Sequence, residues 1–336
     1  MNSADRSILN LIQGAFPVDP RPYKKIGAET GMSEHEAFQR IQDLKEKKII
    51  RRIGGIFDSR NLGYVSTLCA AKVPQEKIPI LAEIMQGMTE ITHNYLRNHH
   101  YNMWFTIIAS SYERMEQILN QIKTVLGSDE VYSLPALKMF KIEVRLPLLE
   151  EKGKGKTTEE AVAKGEPRRK SETSYGYVFN EDDKALIRKL QDNLPQSLTP
   201  YSELSKELDI EEEEVLARIR DFLQRGILRR LVAILYHQKA GFTSNVMGAW
   251  CVSEEAVNEV GVRMARFNEV SHCYQRPSFP DFPYNLFTMI HCQSDQECKD
   301  IIARMSKENQ IKDYTLLFSQ AELKKSSMKY FAEKDA

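Results

Sequence analysis

The chain has 336 residues and carries 47 Lys plus Arg against 47 Asp plus Glu, so its formal net charge is zero. That balance argues against a dedicated nucleic-acid binder, which draws most of its affinity from a basic excess that neutralises phosphates. No apolar run approaches the roughly 20 residues that cross a bilayer, and the first residues lack the basic and apolar regions of a secretory signal.

Five cysteines (Cys69, Cys251, Cys273, Cys292, Cys298) form no CxxC pair. Their odd number and spacing suit reduced thiols, and a cytoplasmic setting is expected.

In chain order, residues 5–13 (DRSILNLIQ) put Ile8, Leu9 and Ile12 at helical spacing behind an Asp cap. A short helix follows over 23–30, stopped by Gly31. Ser33 with Glu36 has capping-box spacing and opens a third helix with Phe38, Ile41 and Leu44 on one face. The run IIRRIGGI at 49–56 resembles the β-hairpin wing of a winged helix. Residues 1–62 thus read as a winged helix-turn-helix.

The next stretch, 63–147, alternates strand (65–73), helix (79–85), strands (90–97 and 102–109), helix (112–126) and a strand over 131–145 interrupted at Pro135. This is the βαββαβ order of a ferredoxin-like domain, with helices on one face of an antiparallel sheet and the other face left open. Residues 148–178 are charged, contain glycine and have almost no large apolar side chains, which predicts a flexible tether. The pattern then starts again, with a winged helix-turn-helix over 179–240 and a ferredoxin-like domain over 241–330.

The second half repeats the first. At an offset of 178, Asp5 falls on Asp183, Gln13 on Gln191 and Pro22-Tyr23 on Pro200-Tyr201. Arg40-Ile41 falls on Arg218-Ile219, and Arg51-Arg52 on Arg229-Arg230. Further on the register slips by one, bringing His93, Tyr95 and Arg97 onto His272, Tyr274 and Arg276. After an insertion at 278–283, Tyr101-Asn102 meets Tyr284-Asn285. The expected fold class is therefore α+β, a tandem duplication of a winged helix-turn-helix plus a ferredoxin-like domain. A tether between the halves would hold them at high effective concentration.

The helices placed to read DNA carry the wrong charge. Over 33–46, Glu34, Glu36, Asp43 and Glu46 outweigh Arg40 and Lys45, a net of −2. Over 211–224, Glu211 to Glu214 and Asp221 outweigh Arg218 and Arg220, a net of −3. Carboxylates suit a helix N-terminus but are repelled by a phosphate backbone. DNA binding is not expected.

Residues two apart on a strand share a face, so His93, Tyr95 and Arg97 project together, as do His272, Tyr274 and Arg276. In one half alone this would read as an ordinary mixed sheet surface; its repetition argues for function. His99 and His100 stand at the entrance to a strand rich in aromatics (YNMWFT), and histidine is both a proton donor near neutral pH and an iron ligand. The second half has a Pro/Phe loop there instead, which predicts asymmetric chemistry. Arg51, Arg52 and their repeats could hold carboxylates by paired hydrogen bonds or be exposed wing charges. His291 reads as a core histidine, and Cys292 and Cys298 beside it as buried thiols. Phosphate-loop, dinucleotide, zinc-protease and serine-hydrolase motifs are absent from the sequence.

Three helices and a wing followed by βαββαβ resemble the Lrp/AsnC family, which implies that the open faces of two sheets pack together and form a cavity between the halves. At RRIGGIFDSRNLGY, RNHHYNMWFT and YNLFTMIH the chain resembles the siroheme decarboxylases of that group. The resemblance implies removal of the C12 and C18 acetate carboxylates of siroheme to give 12,18-didecarboxysiroheme, for haem or haem d1 synthesis. Siroheme carries eight carboxylates, so a cationic, histidine- and aromatic-lined pocket is what its binding requires.

On this reading His99 and His100 are catalytic, one supplying a proton and the other positioning a carboxylate or meeting the substrate iron. His93, Tyr95, Arg97, Tyr101, Trp104, Arg51, Arg52, His272, Tyr274, Arg276 and Tyr284 bind substrate. No added cofactor or resident metal is expected, since iron enters with siroheme. The fused pseudo-dimer can stop there or pair again. Two other readings stay open, a transcriptional regulator of the Lrp/AsnC type and a tetrapyrrole sensor without catalysis.

Overall fold

The computed structural model describes residues 2–142, 177–236 and 244–332. The tether expected over 148–178 lies outside these except for Tyr177 and Val178. Among the described residues two compact units form, each drawing on both halves of the chain: 2–62 with 177–236 and 329–332, and 63–142 with 244–328.

The first unit holds the paired helix-turn-helix elements. Helix α1 (Ser3–Gly14) is capped by Asn2, whose side chain accepts from the Asp5 N–H at 2.8 Å. The cap thus lies three residues before the Asp5 expected from sequence, and Asp5 completes the box by accepting from the Asn2 N–H. Helix α2 (Pro22–Thr30) starts on proline and ends at Gly31, whose φ of 72° glycine adopts without strain. Helix α3 (Glu34–Glu46) is capped by the Ser33 hydroxyl accepting from the Glu36 N–H, while the Glu36 carboxylate turns to Arg40. The second half supplies α6 (Glu181–Leu190), α7 (Pro200–Leu208) and α8 (Glu212–Gln224) in the same order.

The expected wing hairpin does not form. Residues Ile50–Phe57 make one strand, β1, which pairs antiparallel with its repeat β7 (Leu228–Leu235) from the other half. Gly54-Gly55 looks like a turn in sequence but sits mid-strand, outside the positive-φ glycines. A Cβ on Gly54 would overlap the Asp192 carbonyl and lie 2.9 Å from that of Leu190, so glycine is there to let β1 pass close to the end of α6.

The second unit holds the two βαββαβ segments. The first comprises β2 (Val65–Ala71), α4 (Ile78–Gly87), β3 (Ile91–Arg97), β4 (Met103–Ala109), α5 (Tyr112–Leu126), β5 (Val131–Pro135) and β6 (Lys138–Ile142). The second comprises β8 (Ser244–Trp250), α9 (Val257–Ala265), β9 (Val270–Gln275), β10 (Leu286–Cys292), α10 (Asp295–Asn309) and β11 (Tyr314–Lys325). Their strands form one nine-stranded ladder in the order β5-β2-β4-β3-β11-β8-β10-β9-β6.

The ladder arises from exchange of the last strand of each segment. β11 pairs with its own β8 over Tyr314–Phe318 and then with β3 of the other half. Likewise β5 pairs with its own β2, and β6, resuming after Pro135, pairs with β9. Proline has no N–H for a ladder bond, which fits a break at the crossover.

Two apolar cores lie under the helices, one in each segment. A third, on the opposite sheet face, joins Ala70, Trp104 and Leu134 to Met247, Phe282, Phe287 and Leu317 from the other half. Each fully buried large side chain there contributes roughly 1.5–3 kcal/mol.

Cys292 and Cys298 form a disulfide rather than the free thiols read from sequence. The Ser294-capped turn from β10 into α10 brings their Cα atoms to 5.7 Å, within bridging range. Cys69, Cys251 and Cys273 are free. No described helix is long and apolar enough to cross a membrane.

Candidate active site

The repeated His-Tyr-Arg pattern produces repeated geometry. Asn94 turns toward the helix core, reaching Met85 Sδ at 3.1 Å, so alternation puts His93, Tyr95 and Arg97 on the face away from the helices. The His93 and Tyr95 rings stack at 6.4 Å, and those of His272 and Tyr274 at 6.2 Å. Arg97 lies 5.5 Å over Tyr95, and Arg276 lies 4.9 Å over Tyr274. Even the histidine contacts repeat: His93 Nδ1 meets Thr92 Oγ1 at 3.0 Å, and His272 Nδ1 meets Ser271 Oγ at 2.9 Å.

The arginines also tie the halves together. Arg97 Nη1 donates to the Leu317 carbonyl at 2.6 Å, and Arg276 Nη1 donates to that of Leu134 at 2.5 Å. Both Nε atoms are buried without an acceptor, and among the described residues neither guanidinium has a carboxylate in ion-pair reach. Burial lowers both arginines to about 10, so they stay charged at neutral pH. A buried cation without a counter-ion is costly, and an incoming carboxylate would relieve that cost.

The His99-His100 turn between β3 and β4 is held by local bonds. Asn98 Oδ1 accepts from the Phe318 N–H at 2.6 Å, and the His99 N–H donates to the Arg97 carbonyl at 2.9 Å. His99 Nδ1 accepts from the Tyr101 N–H at 3.1 Å, which leaves Nε2 as the protonated nitrogen of the neutral ring. Burial, with His100 beside it, lowers His99 to about 4. His100 is exposed, its ring 4.0 Å from that of His99.

Tyr101 and Trp104 are buried in the aromatic core. Trp104 Nε1 donates to the Tyr101 carbonyl at 2.7 Å, and the Tyr101 ring packs on Phe279 at 4.9 Å and Tyr132 at 5.6 Å. Half-buried Tyr284 meets Phe282 edge-on at 4.9 Å. His291 is half-buried on β10, sharing a face with Phe287 and Met289, and is not the fully buried core residue expected. Arg51 and Arg52 lie on β1 in the other compact unit. Arg51 is exposed there, and Arg52 Nη1 lies 3.5 Å from the carbonyls of Gly55 and Asp192.

Sequence reading missed two groups of residues. Asn102 grips the Val73 backbone N–H and C=O at 2.9 and 2.8 Å, and Asn285 grips those of Val252 at 3.1 and 2.7 Å. Their recurrence after Tyr was visible, but the long-range backbone partners were not. Glu322 and Met139, which oppose Tyr95 and Tyr274, come from exchanged strands and carried no sequence signal.

The duplicated sheet with matched sites on one face defines an AsnC-like ligand-binding protein fused to helix-turn-helix elements. Family models agree: an AsnC-like ligand binding domain matches residues 61–141 and 239–324, and a siroheme decarboxylase NirDL-like HTH domain matches 5–51 and 183–229. The siroheme decarboxylase of Hydrogenobacter thermophilus is 34% identical over 97% of this chain and 94% of its own length. The alpha subunit of the Desulfovibrio desulfuricans enzyme is 48% identical over 43% of this chain and 83% of its own length. The crystal structure of siroheme decarboxylase NirDL in co-complex with an iron-uroporphyrin III analogue matches with a TM-score of 0.76 at 30% identity, covering 99% of this chain and 96% of that one. The chain belongs to the siroheme decarboxylase family and is a carboxy-lyase.

Proposed function

We propose that the protein removes the acetate carboxylates at C12 and C18 of siroheme, giving 12,18-didecarboxysiroheme, with histidine assistance and without an added cofactor. The observation that carries this reading is the pair of arginines, buried Arg97 and half-buried Arg276, each with a buried, unpartnered Nε and, among the described residues, no carboxylate in ion-pair reach. Two such cations on the aromatic face of one sheet suit a flat macrocycle edged with carboxylates.

Loss of carbon dioxide breaks the bond between the side-chain methylene and its carboxyl carbon. The electron pair stays on the methylene carbon, delocalised into the macrocycle, and a delivered proton completes a methyl group. Exposed His100 is the proton donor. His99, neutral and held by the Tyr101 N–H, presents its Nε2–H as a donor to a substrate carboxylate. Arg97 and Arg276 orient the carboxylates that do not react.

A regulator role finds little support in the helix-turn-helix arginines. Arg40 is turned back onto Asp5 at 3.1 Å, and Arg218 onto Asp183 at 2.6 Å. Anaerobic incubation of the purified protein with siroheme tests the proposal. Product lighter by two carbon dioxide units is expected; bound siroheme of unchanged mass would reduce the protein to a sensor.

A further inference from the structure

The two βαββαβ segments also differ where the first strand of each leads into its helix. The backbone frame there is the same in both. The Lys72 N–H donates to the Glu130 carbonyl at 3.1 Å, and the Cys251 N–H to the Asp313 carbonyl at 3.0 Å. Lys77 and Ala256 each stand immediately before their helix, α4 and α9. In the first segment two lysines fill this place. Lys77 Nζ donates to the Leu126 carbonyl at the end of α5 at 2.5 Å, and Lys72 Nζ pairs with the Glu130 carboxylate at 3.1 Å. In the second segment Ala256 and Cys251 stand at those two positions, and neither carries an ammonium.

A cavity of about 460 Å³ lies there, lined by both of these residues, by apolar Val252, Val260 and Ile311, and by Asn309 and Asp313. The last carbonyls of a helix have no partner within it and carry the negative end of its dipole, so the end of α10 favours a cation. Among the described residues no lysine or arginine lies in ion-pair reach of the Asp313 carboxylate. Burial, with that carboxylate beside it, raises the Cys251 thiol, which therefore stays neutral. Of the bordering cations, Arg263 is held by Glu259 and by Asn309 Oδ1, and Lys312 is exposed.

We infer that this cavity binds a small primary amine, whose ammonium sits between Asp313 and the end of α10 where the first segment places its own lysines. The alkyl stem of such a ligand would lie along Val260 and Ile311, as a lysine stem lies on apolar surface below a charged head. The first segment shows that this frame accommodates an ammonium at both acceptors, the helix-end carbonyl and the carboxylate. The cavity falls in the usual size range of small-molecule sites, with room for more than a four-carbon stem. Nothing in the inference depends on the siroheme reading.

Titration of the full chain with n-butylammonium chloride at constant ionic strength, followed by amide NMR signals, tests this without siroheme. Saturable shifts at Gln310 and Ile311 are expected, and none with n-butanol, which has the stem without the charge. Ala256→Lys, which restores the first segment's lysine, is expected to raise Kd by roughly tenfold or more. Asp313→Asn, which keeps the shape and removes the charge, is expected to raise it about threefold. Lys72→Cys combined with Lys77→Ala copies the second segment into the first and should create new saturable shifts at Gly127 and Ser128. No saturable shift in wild type, an equal response to n-butanol, or a Kd unchanged by both Ala256→Lys and Asp313→Asn would each overturn the inference. So would failure of the double variant to gain a second site.

Discussion

The turn after β3 and the loop after β9 occupy the same place in the duplicated fold and do different work. Both are framed alike: the Arg97 N–H donates to Asn102 O at 2.8 Å, and the Arg276 N–H to Asn285 O at 2.9 Å. Within that frame one half holds the His99-His100 pair. The other holds a Pro/Phe insertion whose Phe279 and Phe282 rings stack at 4.9 Å. Phe282 is fully buried, edge-on to His99 at 5.5 Å and against Trp104 at 5.6 Å. One copy of the loop carries imidazoles and the other builds a wall against them. A symmetric pair of subunits could not divide the task in this way.

The comparison breaks most visibly if the histidines are dispensable. Replacing both His99 and His100 with alanine is expected to lower siroheme turnover by roughly 100-fold or more, the usual worth of a positioned proton donor, with little change in melting temperature. Near-normal turnover would assign the chemistry elsewhere. Phe282→Ala should act on the other side of the division, costing roughly 3–5 kcal/mol of stability through the cavity it leaves. Urea unfolding measures this, and a loss under 1 kcal/mol would mean the insertion is no wall.

Asn102→Ala and Asn285→Ala sharpen the shared frame. Each strips a backbone N–H and C=O of their partner, at a cost of roughly 1–3 kcal/mol. Similar losses in both halves are expected in the same assay; a cost confined to one half would show that the frame is not shared.

The smallest effect concerns pH. Because His99 is lowered to about 4 in the fold from an ordinary value of 6.5, the unfolded chain takes up its proton first as pH falls. Stability from this group is complete above 6.5 and is lost as pH drops toward 4. Melting temperature should therefore fall less over that window in His99→Gln than in wild type, and parallel curves would count against a buried neutral His99.

The duplication and the element order were legible because helix and strand periods and repeated residues are local signals. The His-Tyr-Arg sites were legible because they occur twice. Pairing was not. Nothing around Pro135 distinguishes an interrupted strand from one that leaves its own sheet for β9, and Gly54-Gly55 has the look of a turn whether or not it bends. Glu322 and Met139 became neighbours of Tyr95 and Tyr274 only through that exchange. The six-residue spacing of Cys292 and Cys298 resembles no disulfide motif, because the bridge depends on how β10 turns into α10. Trp104 and Tyr101, read as substrate contacts from their aromatic character, are committed to the core between the halves.

Siroheme labelled with carbon-13 only in its C12 and C18 acetate carboxyls offers the most direct trial of the whole account. Anaerobic single-turnover reaction with the purified chain should release two equivalents of labelled carbon dioxide and leave methyl groups at both positions. Release of unlabelled carbon dioxide, or of none while the spectrum shows bound siroheme, would contradict it.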